Sequence, residues 1–206
     1  MNKPSVLLTG FNPFGGSPVN SSEVVVRSIA ASRGARPWLI THILRTEFAA
    51  AGREITELLS VHRPDVCLCL GLHEGAECVV IERCAFNLDD ATIADNAGFR
   101  PGRREIIVGG KERYRSTLPI EMIAPMLERH GIPYQFSDSA GSFVCNHVFY
   151  MAANEATRLS LPTKVGFIHL PPIVEAGELG HGMPVARLIE AVELCLKACR
   201  GGGDNP

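Results

Sequence analysis

The 206-residue chain is predicted to fold as a single α/β domain: a mostly parallel, twisted sheet with helices on both faces. Two observations carry this prediction. Strand-like and helical segments alternate along the chain, and the strands are apolar throughout, as in SVLLT at 5–9, VCLCLGL at 66–72 and VGFIHL at 165–170. Strands that bury both faces belong to parallel sheets sandwiched between helices. A hydrophobic content of 46% over 206 residues is enough for one sizeable core.

The first strand, 5–9, is expected to stop at Gly10, and the loop FNPFGGSPVN follows. Asn20, Ser21 and Ser22 offer N-caps to a helix with Val24, Val25, Ile29 and Ala30 on its apolar side, ending near Gly34. Next come a strand over 39–44, a helix over 48–62 with Ile55, Leu58 and Leu59 at helical spacing, and a buried strand over 66–72. Another strand is read over 78–87. Residues 88–116, rich in Gly, Pro and Asp, read as a long excursion, since they isolate no second core-sized segment. Helix 120–130, strand 134–136, helix 145–158, strand 164–169 and helix 183–198 complete the domain, assigned to residues 1–200. The final GGGDNP, 201–206, is read as a flexible tail.

Charge and cysteine usage exclude several function classes. Twenty Lys and Arg against 22 Asp and Glu leave a net charge of −2, interleaved along the chain, so no basic footprint for nucleic acid is present. No stretch approaches the roughly 20 apolar residues of a membrane span, and the N-terminus carries no secretion signal, which predicts a cytoplasmic protein with no membrane partner. Seven cysteines, an odd number, read as free thiols of a reducing compartment. Cys67 and Cys69 are one residue apart, and Cys195 and Cys199 have no second pair nearby, so no zinc site is expected.

The segment DSAGSFVCNH, 138–147, leads a glycine-containing turn into a helix that starts close to Cys145. Unpaired N–H groups and the helix dipole stabilise a thiolate there, and the same donors can receive an oxyanion. Cys145 is therefore a candidate nucleophile; the plain alternative is one more small buried thiol. His147 is two residues away, faces elsewhere on a helix, and is read as packing or capping. His169, just before Pro171-Pro172, ends a parallel strand at the sheet edge where α/β folds place their sites, and is the candidate base or else a structural histidine. Glu82, in the apolar run VVIERCAFN, is the candidate carboxylate that orients the imidazole, unless it faces water or is claimed by Arg83. Asp89, Asp90 and Asp95 lack calcium-loop spacing and read as turn-formers. Phe11 and Phe14 flank Asn12-Pro13 on the glycine-containing loop and suit an exposed apolar clamp, since neither phosphate-loop pattern fits.

Taken together in this order, LLTGFNPFGGSPVNSS, GLHEGAECVVIERCAFNLDDATIADN, SDSAGSFVCNHVFY and VGFIHLPP resemble the pyroglutamyl peptidase I family of cysteine peptidases, from Leu7 to the final helix. The resemblance implies Cys145 as nucleophile, His169 as general base and acid, and Glu82 as the third member. It places a clamp for the pyrrolidone ring at Phe11 and Phe14, with Asn20, Ile93, Phe143 and Val144 as further substrate-binding positions. Leu72, also at the substrate, stands where many bacterial members carry Gln, and Thr92 and Ala94 replace an Arg and a Pro. The implied activity is removal of an N-terminal pyroglutamyl residue from peptides through a thioester acyl-enzyme, with no metal or cofactor, by a homo-oligomer, dimer or tetramer. A neutral lactam calls for an apolar slot, and cationic N-termini would be excluded by desolvation. Leu72 and Thr92 keep open a different thiol-dependent amidase on the same scaffold, and a catalytically silent binding protein is the third reading.

Overall fold

In the computed structural model, which describes residues 4–32, 36–174 and 181–202, the elements follow one another as β1 (Val6–Phe11), α1 (Ser21–Ala31), β2 (Leu39–Leu44), α2 (Phe48–His62), β3 (Val66–Leu72), β4 (Val79–Glu82), β5 (Cys84–Phe86), β6 (Arg113–Arg115), α3 (Ile120–Arg129), β7 (Tyr134–Ser137), α4 (Val144–Arg158), β8 (Lys164–Leu170) and α5 (Val185–Cys199). Six strands form one sheet in the order β2-β1-β3-β8-β4-β7, and β5 and β6 make a separate antiparallel ribbon. All pairings in the main sheet are parallel except β4 with β8. The fold is thus the expected single α/β domain with a mostly parallel sheet, made mixed by one strand.

Alternation along the strands splits the core into two layers. Leu7, Phe11, Cys67, Cys69, Val165 and Phe167 face α2 and α4. Val6, Leu8, Leu68, Leu70, Ile168 and Leu170 face α1, α3 and α5. All seven residues of β3 are buried, because this central strand is covered on both sides.

Several boundaries differ from expectation for identifiable reasons. Gly10 does not end β1. A Cβ there would lie 2.7 Å from the Ser22 carbonyl oxygen, so glycine lets the start of α1 press onto the strand while the strand runs on to Phe11. The buried face of α1 is Ser22, Val25, Val26 and Ile29, with Val24 only partly buried and Ala30 exposed, a one-residue rotation of the expected stripe. The helix ends at Ala31, and Gly34 lies outside the described residues. The strand expected over 78–87 is two strands separated at Arg83, where the chain leaves the main sheet for the ribbon. Its partner β6 lies inside the excursion and has no sequence signal, because three residues, RYR, give no periodicity. The tail beyond Gly202 lies outside the described residues.

Candidate active site

β3 and β8 pair in parallel with Gly71 beside His169. β4 runs antiparallel to β8 with Val80 opposite His169 and Glu82 opposite Phe167. Glu82 and His169 are therefore diagonal neighbours on one sheet face, within reach of each other's side chains. Glu82 Oε1 accepts a hydrogen bond of 2.7 Å from His169 Nδ1, and both residues are buried. The second Glu82 oxygen, Oε2, is buried without a hydrogen-bond partner among the described residues. With Nδ1 engaged, the other ring nitrogen is free for the Cys145 thiol, to which His169 is also hydrogen-bonded.

α4 brings Cys145 over this point. A Cβ added at Gly71 would lie 2.9 Å from Cys145 Sγ and 2.8 Å from Phe167 Cζ, so the sulfur rests on the bare backbone at the end of β3. Cys145 is the second residue of α4, whose N-cap Phe143 supplies no side-chain cap, and the first intrahelical bond runs from the His147 N–H to the Phe143 carbonyl. The amides of Val144, Cys145 and Asn146 consequently have no acceptor within the helix. They are oriented donors beside the sulfur, at the positive end of the dipole.

Electrostatics follow from this packing. Burial pulls the His169 imidazole down, but the charge and hydrogen bond of Cys145, together with those of Glu82, outweigh it and push it up to about 9. A second imidazole, His73, stands beside it with ring centroids 5.6 Å apart. Burial, then the positive charge of His169, hold His73 below its ordinary value. His73 was not singled out in the sequence. The signal was there in the alternation of β3, which puts 69, 71 and 73 on one side.

A buried carboxylate, an imidazole and a thiol in sequence at a sheet edge beside free helix amides form the arrangement of a cysteine hydrolase. The family model for pyroglutamyl peptidase matches residues 4–200. The chain belongs to the pyroglutamyl peptidase family. It is 42% identical over 201 residues to pyrrolidone-carboxylate peptidase 1 of Ralstonia nicotianae, covering 94% of each chain. The crystal structure of pyroglutamyl peptidase I from Bacillus amyloliquefaciens is similar at a TM-score of 0.88 and 33% identity, over 97% of this chain and 98% of that one. Pyrrolidone carboxyl peptidase from the hyperthermophile Pyrococcus furiosus is similar at a TM-score of 0.86 and 32% identity, over 95% and 97%.

Within this family member the remaining candidate residues occupy different positions. Phe14 and Phe143 pack with their rings tilted by 37° and centroids 5.7 Å apart, and Phe143 meets the ring of Phe48 edge-on at 5.4 Å. Ile93 is 45% exposed and reaches the same loop at Gly15. Phe11 is not on an exposed loop: it closes β1, is buried, and packs against Phe167. Asn20 is buried too, capping α1 through Ser22 and donating to the Asn12 carbonyl, which braces the loop between the two phenylalanines. The Val144 side chain is fully buried and belongs to the core layer beneath α4. Leu72, one residue past Gly71, faces the opposite side of the sheet, toward a cavity beside α1.

Asp95 forms the expected turn, its Oδ1 accepting from the Ala97 and Phe99 N–H groups, but it and Asp89 also make long-range contacts. Asp89 is fully buried and binds both His147, at 2.9 Å, and Arg104, at 3.0 Å. His147 is thereby committed to packing. Asp95 caps α2 from a distant loop by accepting from the Phe48 N–H, a service that Glu47, the N-cap residue, does not perform. Neither contact has a local sequence signature, because the partners are 58 and 47 residues apart.

Proposed function

We propose that Cys145, His169 and Glu82 form the catalytic triad of this pyroglutamyl peptidase, a cysteine-type hydrolase that removes N-terminal pyroglutamate from peptides. The observation that supports this most directly is the continuous chain of contacts from Glu82 Oε1 through the His169 ring to the Cys145 sulfur. The thiolate attacks the carbonyl carbon that follows the lactam ring, and a C–S bond forms as the carbonyl electrons move to oxygen. The amides at the start of α4 hold that oxyanion. His169, protonated at the nitrogen facing the sulfur, gives its proton to the leaving amine as the C–N bond breaks, leaving a thioester. The neutral imidazole then takes a proton from water, hydroxide adds to the thioester, and the thiolate departs. Glu82 holds the ring through Nδ1 in both half-reactions. Phe14, Phe143 and Ile93 receive the neutral ring, with Phe11, Asn20 and Val144 shaping the slot from behind, and no metal or cofactor takes part.

Seven free thiols, one of them a nucleophile, suit a reducing compartment and support a cytoplasmic location. Among the described residues no helix is long and apolar enough to cross a membrane. A homo-oligomer, dimer or tetramer, follows from the family resemblance and is checked by light scattering on the purified protein. The activity is tested by comparing a pyroglutamyl, a prolyl and an unblocked glutamyl anilide under reducing conditions. Release from the pyroglutamyl substrate alone is the expected result; cleavage of only another amide, or of none, overturns the assignment.

A further inference from the structure

On the α1 side of the sheet, past the C-terminal ends of β3 and β8, lies a cavity of about 520 Å³ that the triad does not use. Its apolar walls are Val19, Leu72, Ile173 and Val174. Ser21, the first residue of α1, also lines it, and its hydroxyl is buried with no hydrogen-bond partner among the described residues. A buried hydroxyl without a partner costs stability unless something bonds to it. The helix end itself is already capped by Asn20, so Glu74 at the rim is the one charged group among the described lining residues.

Position ties this cavity to the reaction. Leu72 directly follows Gly71, against which the Cys145 sulfur rests, and Pro172 is three residues past His169. The aromatic cluster of Phe14, Phe143 and Phe48 occupies the other flank of Cys145, over the α2 and α4 face. A peptide whose lactam ring sits in that cluster, with its scissile carbonyl at Cys145, must send its leaving amine toward His169, the proton donor. The segments leading away from His169 and Gly71 are the ones that wall the cavity.

We propose that this cavity is the subsite for the first residue of the leaving peptide. It takes an apolar side chain against Leu72, Ile173 and Val174, with Ser21 donating to a backbone carbonyl. Glu74 disfavours a free carboxylate on that residue by like-charge repulsion, so blocked or longer peptides are the better substrates. The inference rests on the ring-and-triad reading above.

The test compares kcat/KM for pyroglutamyl-leucinamide, pyroglutamyl-glycinamide and pyroglutamyl-leucine with its free carboxylate, in the native protein and in Val19→Asp and Glu74→Gln, both changes at exposed positions. In the native protein the leucinamide is preferred over the glycinamide by on the order of 10-fold or more, the scale on which apolar pockets discriminate. Val19→Asp brings that ratio toward one, and Glu74→Gln narrows the gap between leucinamide and free leucine. A native ratio near one, or a ratio that Val19→Asp leaves unchanged, overturns the subsite. Failure to cleave either amide points instead to failure of the underlying catalytic reading.

Discussion

His169 Nδ1 lies 2.7 Å from Glu82 Oε1, while Arg83, the neighbour in sequence that could have claimed the carboxylate, turns away to Asp138 at 3.5 Å and lies 4.4 Å above the ring of Phe136. The break between β4 and β5 falls at Arg83 and separates the two side chains. Among the described residues Glu82 is left paired with the imidazole alone.

Glu82→Gln is expected to lower kcat by a factor on the order of 10 to 10⁴ with little change in KM, because the amide no longer holds the correct ring orientation while the ring-binding residues are untouched. Asp89→Asn is the contrasting variant. It weakens a buried pairing with His147 and Arg104 and should cost about 1–3 kcal/mol of stability while kcat stays near normal. Denaturant melts and steady-state kinetics on both proteins check this; a destabilised but fully active Glu82→Gln enzyme removes Glu82 from the triad.

Alkylation should be selective. Cys67, Cys69, Cys84, Cys195 and Cys199 are buried, burial pushes the Cys199 thiol up to about 12 and Cys195 higher still, and burial also raises the partly exposed Cys78. Iodoacetamide at neutral pH is expected to modify Cys145 first, with loss of activity in step, and Cys145→Ser to be folded but inactive, since a hydroxyl does not ionise in this range. Peptide mapping that finds Cys78 labelled first, or turnover by the serine variant, contradicts the assignment.

The pH dependence has a definite sign. His169 is raised from 6.5 to about 9, so the folded protein holds this proton more tightly than the unfolded chain. Its stabilising contribution is full below about pH 6.5 and is lost as pH rises through about 9. The imidazolium that protonates the leaving amine disappears over the same upper limit, so kcat/KM should fall on the alkaline side near pH 9. In Cys145→Ser the raising influence of the thiolate is gone, and an NMR titration of His169 should move to lower pH. An unchanged titration would mean that Cys145 carries no charge beside the ring.

Gly71→Ala is expected to lower kcat by on the order of 10²-fold, the penalty for displacing a nucleophile by about 1 Å. The added methyl meets Cys145 Sγ on one side and Phe167 on the other, and Phe167 is locked in the core by Phe11 and Phe149. Kinetics with a melting curve decide the point: a variant that loses stability but not kcat shows that the sulfur can shift without cost.

The sequence by itself determined the layer architecture and singled out Cys145, His169 and Glu82 as candidates. Apolar runs such as 66–72 bury both faces of a strand whatever surrounds them, and Cys145 at a helix start and His169 at a strand end are placed by local chemistry alone. Only the tertiary structure decided what depends on distant partners. Whether Glu82 serves His169 or Arg83 was settled by the antiparallel register of β4 on β8, which nothing local encodes. Phe11 moved from clamp to core because β1 pairs through Gly10 with β2 across to Leu44. Asp89 and Asp95 became buried anchors because the 88–116 excursion folds back over α4 and α2, and a carboxylate's partner 50 residues away leaves no periodic trace in the chain. Leu72 and His73, adjacent in sequence, ended on opposite sides of the sheet edge, one facing a cavity and one facing His169, since side chains alternate along a strand.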